Sequence, residues 1–133
     1  DDSPTEANCY QSINAAWHHL TQKVGIAPNK IIPFGRSIGS GPTVDLCSRH
    51  TDTRAMVLQS PLESGARAVA GWLPLGPFSS FDIFRNYEKI GKITCPVFIM
   101  HGKADKVVPF SNGKSLHESC RQPYNPPFFI EGR

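Results

Sequence analysis

Ile31-Ile32-Pro33-Phe34-Gly35-Arg36-Ser37-Ile38-Gly39-Ser40-Gly41-Pro42-Thr43 is the stretch on which the reading of this chain turns. An apolar run leads into a turn rich in glycine and hydroxyls, and a helical pattern follows, which admits two chemistries. A glycine-rich turn at a helix amino terminus can cradle a phosphate, but the motif that does so carries a lysine and then Ser or Thr after its last glycine. Here Pro42-Thr43 follows Gly41, and Gly35, Gly39 and Gly41 lack the G-x-G-x-x-G spacing. The second reading is a nucleophile elbow, G-x-S-x-G over residues 35–39, in which a serine on a sharp strand-to-helix turn projects its hydroxyl above the sheet edge. Gly35 and Gly39 are then needed because side chains two positions either side of the serine would collide across the bend. A plain glycine-rich turn is the alternative; the strand before it and the helix after it favour the elbow. Ser37 is the expected nucleophile, and the backbone N–H of Ile38 the expected oxyanion donor.

Outward from the elbow, Lys30 to Phe34 reads as a short strand and Ser37 to about Arg49 as a helix that can bury Val44, Leu46 and Cys47. Upstream, Ile13, Ala16, Trp17, Leu20 and Val24 recur at helical spacing behind Ser3-Pro4-Thr5-Glu6. They predict an amphipathic helix from about 5 to 24, ended by Gly25. Downstream, the continuous apolar runs Ala55 to Gln59 and Pro96 to Met100 look like strands buried on both faces of a parallel sheet. Pro127 to Ile130 is a weaker strand, and Ser111 to Cys120, with Leu116, a helix. The alternation predicts one α/β domain over 1–133, with right-handed crossovers. Residues 60–95 are too long for an ordinary connection. They include Gly71-Trp72-Leu73-Pro74-Leu75-Gly76-Pro77-Phe78, apolar but broken by glycine and proline, which reads either as a cap over a binding cleft or as an irregular excursion on the core.

A serine hydroxyl needs a base to remove its proton and an acid to hold that base. In this topology the acid follows a late strand and the histidine follows the acid. Asp105, in His101-Gly102-Lys103-Ala104-Asp105 directly behind a strand, is the expected acid; its alternative is a turn aspartate capping local backbone. Glu63 and Asp82 are weaker candidates. No histidine follows His117. His18 and His19 precede the serine, His50 ends the elbow helix, His101 is expected to order its own turn, and His117 lies on a helix. The base is therefore expected outside this chain.

Composition limits the rest. The chain has 133 residues, 14 basic against 11 acidic, and a formal charge of +3 with no basic cluster. That argues against nucleic acid as a partner. Cys9, Cys47, Cys95 and Cys120 are far apart without metal-ligand spacing, so no metal or other cofactor is expected, and reduced thiols in the cytoplasm are. No charged-then-apolar leader and no membrane-length apolar run is visible.

Lys30 to Leu46, Leu58-Gln59-Ser60-Pro61-Leu62-Glu63-Ser64-Gly65, Phe81-Asp82-Ile83-Phe84-Arg85-Asn86-Tyr87-Glu88-Lys89-Ile90 and His101 to Asp105 together resemble the α/β-hydrolase-domain-containing 17 family, in order through nearly the whole chain. The resemblance implies an α/β-hydrolase fold, here partial, and a serine hydrolase that removes palmitate from cysteines of membrane-associated proteins. Ser37 falls on that family's nucleophile and Asp105 on its acid. Its histidine comes a few residues after a strand equivalent to 127–131, so the chain is expected to stop just short of it. The family's earlier strands, its loop with a second oxyanion N–H and its acylated amino-terminal cysteines are absent too. The resemblance thus implies a carboxy-terminal-half fragment, an S-acylated protein or other acyl ester as substrate, and peripheral attachment to the cytoplasmic face of a membrane through a missing region. The alternatives are a non-catalytic fragment or binding module, and a carboxylesterase of the same fold. Ile130-Glu131-Gly132-Arg133 also spells a protease-cleavage tag, although Phe129 to Gly132 suits a natural last strand.

Overall fold

The computed structural model describes residues 4–70 and 82–132. Thr5 opens the first helix, α1 (Glu6–His18), by accepting the Asn8 N–H at 3.1 Å, and Glu6 places a carboxylate in the first turn. The helix runs on through a wider turn, His19–Lys23. It ends at Gly25, whose φ of +79° suits a residue without Cβ, with the Ile26 N–H closing on the Leu20 carbonyl. Its apolar stripe is less buried than its spacing predicts. Trp17 is buried, its ring 4.6 Å from that of His50, whereas Val24 is exposed and Ile13 and Leu20 are only half-buried. α1 rests on the next helix rather than on the sheet.

Strand β1 (Phe34–Arg36) starts four residues later than its apolar run suggests. Pro28–Lys30 form a single helical turn, and Pro33 has no N–H to give a ladder. The chain already docks there through its carbonyls, Arg54 N–H on Ile31 and Val57 N–H on Pro33. A tight turn, Ser37–Gly39, then leads into α2 (Ser40–Arg49). Strands β2 (Met56–Gln59), β3 (Val97–Gly102) and β4 (Phe128–Ile130) follow, with α3 (Gly65–Ala70) after β2 and α4 (Phe110–Ser119) after β3. All pairings are parallel in the order β1-β2-β3-β4, with Gly35 opposite Leu58, Leu58 opposite Ile99 and Met100 opposite Phe128. The architecture is a parallel sheet with flanking helices, as expected for a partial α/β-hydrolase core.

Met56, Leu58, Val97 and Ile99 form the packed face, under Val44 and Cys47 of α2 and Leu116 of α4. Two strand residues apart lie on one face, so Val57, Phe98 and Met100 fall on the other, which is half-buried. Continuous apolar runs therefore correspond here to burial complete on one face and partial on the opposite one. Cys47 and Cys95 belong to this core and, with Cys9 and Cys120, are unpaired thiols.

Within 60–95, α3 and two short turns, Asn86–Glu88 and Ile90–Lys92, were not legible as periodic elements. The stretch from Gly71 to Phe81 lies outside the described residues, so its reading as a cap has no structure to meet. The described remainder is tied down. The Phe84 N–H donates to Glu6 on α1 at 2.9 Å, and the Lys89 ammonium to Asp45 on α2 at 2.8 Å and to the Tyr10 hydroxyl at 2.9 Å.

Candidate functional site

Ser37 sits where β1 becomes helix, with φ of +48°, left-handed backbone that a non-glycine residue adopts only when its surroundings enforce it. Behind it, a Cβ on Gly35 would lie 2.7 Å from the Thr43 hydroxyl and 2.9 Å from the Gly39 carbonyl, so glycine is required. Gly39 differs from expectation: a Cβ there meets nothing within 4 Å among the described residues, and its φ of −63° is ordinary. Ile38 follows at the start of the turn, where a backbone N–H has no intrahelical acceptor.

Asp105 lies across the same cleft. Ser37, Ser60, His101, Asp105, Lys106 and Phe128 are among the residues lining an open cavity of about 700 Å³ at the carboxyl ends of the strands. The Asp105 Oδ1 accepts the N–H groups of Val107 at 2.8 Å and Val108 at 3.0 Å. Asp105 therefore does cap its own turn, and the cap fixes the carboxylate at the cleft. Burial alone would raise its pKa, but the Val108 and Val107 N–H groups, the Ser60 hydroxyl and His101 outweigh that and hold it below the usual carboxylate range.

His101 lines the cleft but is fully buried. Its Nε2 donates to the Val108 carbonyl at 3.0 Å and lies 3.6 Å from Asp105 Oδ2. This is the turn-ordering role expected from the sequence: the ring ties β3 to the loop that carries Asp105. His117 bonds the Tyr124 carbonyl at 3.4 Å and meets the Phe129 ring edge-on. His50 stacks on Trp17. The weaker acid candidates are engaged elsewhere. Glu63 accepts from Arg67 at 3.0 Å and Ser115 at 2.6 Å, and Asp82 accepts the Ala66 N–H at 2.8 Å as a cap on α3.

Ser60 escaped the sequence reading. At φ +45° directly after β2, it lines the cleft, and its N–H donates to the Met100 carbonyl at 2.8 Å. Its only trace in sequence is position, one residue beyond a buried strand. A larger depression of about 860 Å³ runs along α1 past Cys9 and Ile13 to Pro42, and among the described residues no carboxylate, histidine, lysine or arginine lines it. Among the described residues no group of three or more His, Cys, Asp or Glu side chains could hold a metal ion, and no helix is long and apolar enough to cross a membrane.

Over 129 residues, 97% of its length, the chain is 44% identical to alpha/beta hydrolase domain-containing protein 17B of Homo sapiens. It is 43% identical over the same share to protein 17C of Xenopus tropicalis. The chain belongs to the alpha/beta hydrolase domain-containing 17 family. It spans 43% of the length of the human relative and 40% of the frog protein 17C. No protein-family model matches it. Beyond the alpha/beta hydrolase domain-containing 17 relatives, the fold aligns with the esterase domain of a Rhodothermus marinus protein. That alignment has a TM-score of 0.67 and 14% identity over 92% of this chain and 56% of that one. The Est2 esterase of Thermogutta terrifontis aligns with a TM-score of 0.67 and 20% identity over 96% of this chain and 54% of that one.

Proposed function

We propose that the protein carrying this chain is a serine hydrolase that cleaves acyl thioesters, with Ser37 as nucleophile and Asp105 as the acid that orients the base. The observation that carries this reading is the left-handed Ser37 at the strand-to-helix turn, lining one cleft with an ionised, backbone-anchored Asp105. The Ser37 hydroxyl attacks the thioester carbonyl and passes its proton to a histidine supplied from outside the described residues. His101 does not serve, because its Nε2 is committed to the Val108 carbonyl. The Ile38 N–H holds the oxyanion that forms as the carbonyl carbon becomes tetrahedral. Collapse of that intermediate breaks the C–S bond, the histidine returns the proton to the leaving thiolate, and water then releases the acyl group from Ser37 by the same steps.

The substrate class rests on the family. Alpha/beta hydrolase domain-containing 17 proteins are, by the resemblance drawn above, depalmitoylating thioesterases, which makes an S-acylated protein the partner and a membrane face the place of action. The apolar rim suits an acyl chain, since Phe128 and Ile130 line the cleft and both are about half exposed. A fluorophosphonate probe on the full-length protein is the direct test. Labelling that disappears in Ser37→Ala is expected, and equal labelling of both proteins would overturn the assignment. Comparing kcat/KM for a palmitoyl thioester and its oxygen ester then separates thioesterase from carboxylesterase.

A further inference from the structure

Beneath Ser37 lies a buried polar cluster that the proposed chemistry does not use. We infer that Ser40 and Asn86 are positioning residues that clamp the backbone of Ser37 in its left-handed conformation, an inference that rests on Ser37 being the nucleophile. The Ser37 carbonyl accepts both the backbone N–H of Ser40 and its hydroxyl, the latter at 2.6 Å. That hydroxyl has one proton and two lone pairs. Its other partners, the Leu62 N–H at 3.2 Å and the Asn86 Nδ2 at 3.4 Å, are both donors. The single hydroxyl proton therefore has one place to go, the Ser37 carbonyl. Asn86, with no solvent exposure, sends its amide group also to the Leu62 carbonyl at 2.8 Å, which uses both of its protons and fixes which way the amide faces.

A second contact holds the same segment in place. Phe84, itself at φ +51°, lies so close to the first turn of α2 that a Cβ on Gly41 would come within 2.3 Å of its ring. Residues 84–86 thus brace the elbow from below, and the contact joins two left-handed residues, Phe84 in the brace and Ser37 in the elbow. Without the clamp Ser37 is free to relax toward right-handed backbone, which swings its Oγ out of line with the oxyanion donor and the base. Among the described residues the Asn86 Oδ1, although buried, has no hydrogen-bond partner. A buried amide that satisfies only its donor side is poor as a stabilising device and is suited to aiming two donors.

The test uses the full-length protein and follows the rate of fluorophosphonate labelling at Ser37 together with kcat and KM. Ser40→Ala removes the clamp, and Asn86→Leu removes both amide donors while keeping the volume. Each is expected to lower the labelling rate and kcat about tenfold or more with KM within about twofold, as for a displaced reacting atom. The double variant is expected to be no slower than Ser40→Ala, because the two act on one hydroxyl, and Ser40→Cys should recover part of the rate. Phe98→Leu, which loosens the edge contact of β3 with Tyr124 on the opposite face of the sheet, serves as a control for general destabilisation with an unchanged labelling rate. Labelling within about twofold of the parent in a folded Ser40→Ala or Asn86→Leu would overturn the inference, as would an equal loss in the control. Should Ser40→Ala fail to fold, Asn86→Leu decides alone. A parent that is not labelled at Ser37 would instead bring down the enzymatic reading.

Discussion

An added methyl at Gly35 would press on the Thr43 hydroxyl, the Gly39 carbonyl and the Ser40 Cα, all within 3 Å, whereas one at Gly39 would meet nothing among the described residues. Gly35→Ala is expected to cost about 2–3 kcal/mol, because two of the three obstacles are backbone that cannot step aside. Gly39→Ala, at an ordinary φ, should be neutral or stabilise the 133-residue chain by about 0.5 kcal/mol through its unfolded state. Denaturant titration of both variants distinguishes them. Asp105 gives a pH dependence of defined sign. Its folded pKa lies below the ordinary 3.8, so the unfolded chain binds the proton first as the solution is acidified. The stability it contributes is complete above the unfolded value and is lost as pH falls through the folded one. Asp105→Asn should flatten the fall in unfolding free energy below pH 3.8 without altering it near neutrality beyond a constant offset. At this scale the placement of Ser37 on a strand-to-helix turn and of Asp105 on a loop behind a strand was legible, because strand, turn and helix signals surround them. Ser60 was not, because one serine after a strand has no pattern, and the lack of a clash at Gly39 among the described residues depends on neighbours that sequence does not name.

Helix α4 crosses β3 over a glycine. A Cβ on Gly113 would come within 2.2 Å of the His101 Nδ1, so the helix backbone lies directly on the imidazole that ties down the Asp105 loop. Gly113→Ala is expected to displace that ring and destabilise the protein by about 1–3 kcal/mol despite the better helix propensity of alanine. Measured against denaturant, the propensity gain alone would give the opposite sign. In the sheet, Leu58 is fully buried between β1 and β3 partners, and Leu58→Ala should cost about 2–5 kcal/mol by the same measurement. Type and order of the major elements followed from sequence because periods of 3.6 and unbroken apolar runs are strong signals. The start of β1 did not, since Ile31 and Ile32 look like strand but Pro33 withholds the N–H that a ladder needs. Nor did α3 and the turns near 86–92, which are held by specific side chains such as Asp82 and Asn86 rather than by a repeating pattern.

Across the whole molecule the sheet leaves β1 as an outer strand among the described residues, with Phe34 at its start and Ile32 just before it about half exposed. An uncovered parallel edge with apolar neighbours is prone to pair with another chain. Phe34→Lys is expected to reduce light scattering by the 133-residue chain at high concentration while changing its stability by less than about 0.5 kcal/mol. The strand order has a different consequence. Because β1-β2-β3-β4 is also the order of the chain, a ribosome delivers each strand after β1 to a partner it has already released. The span between β2 and β3, residues 60–96, is about twice that between β1 and β2, residues 37–55. Closing it costs only about 0.6 kcal/mol more, so lengthening that connection delays the third strand in synthesis far more than it penalises it in equilibrium.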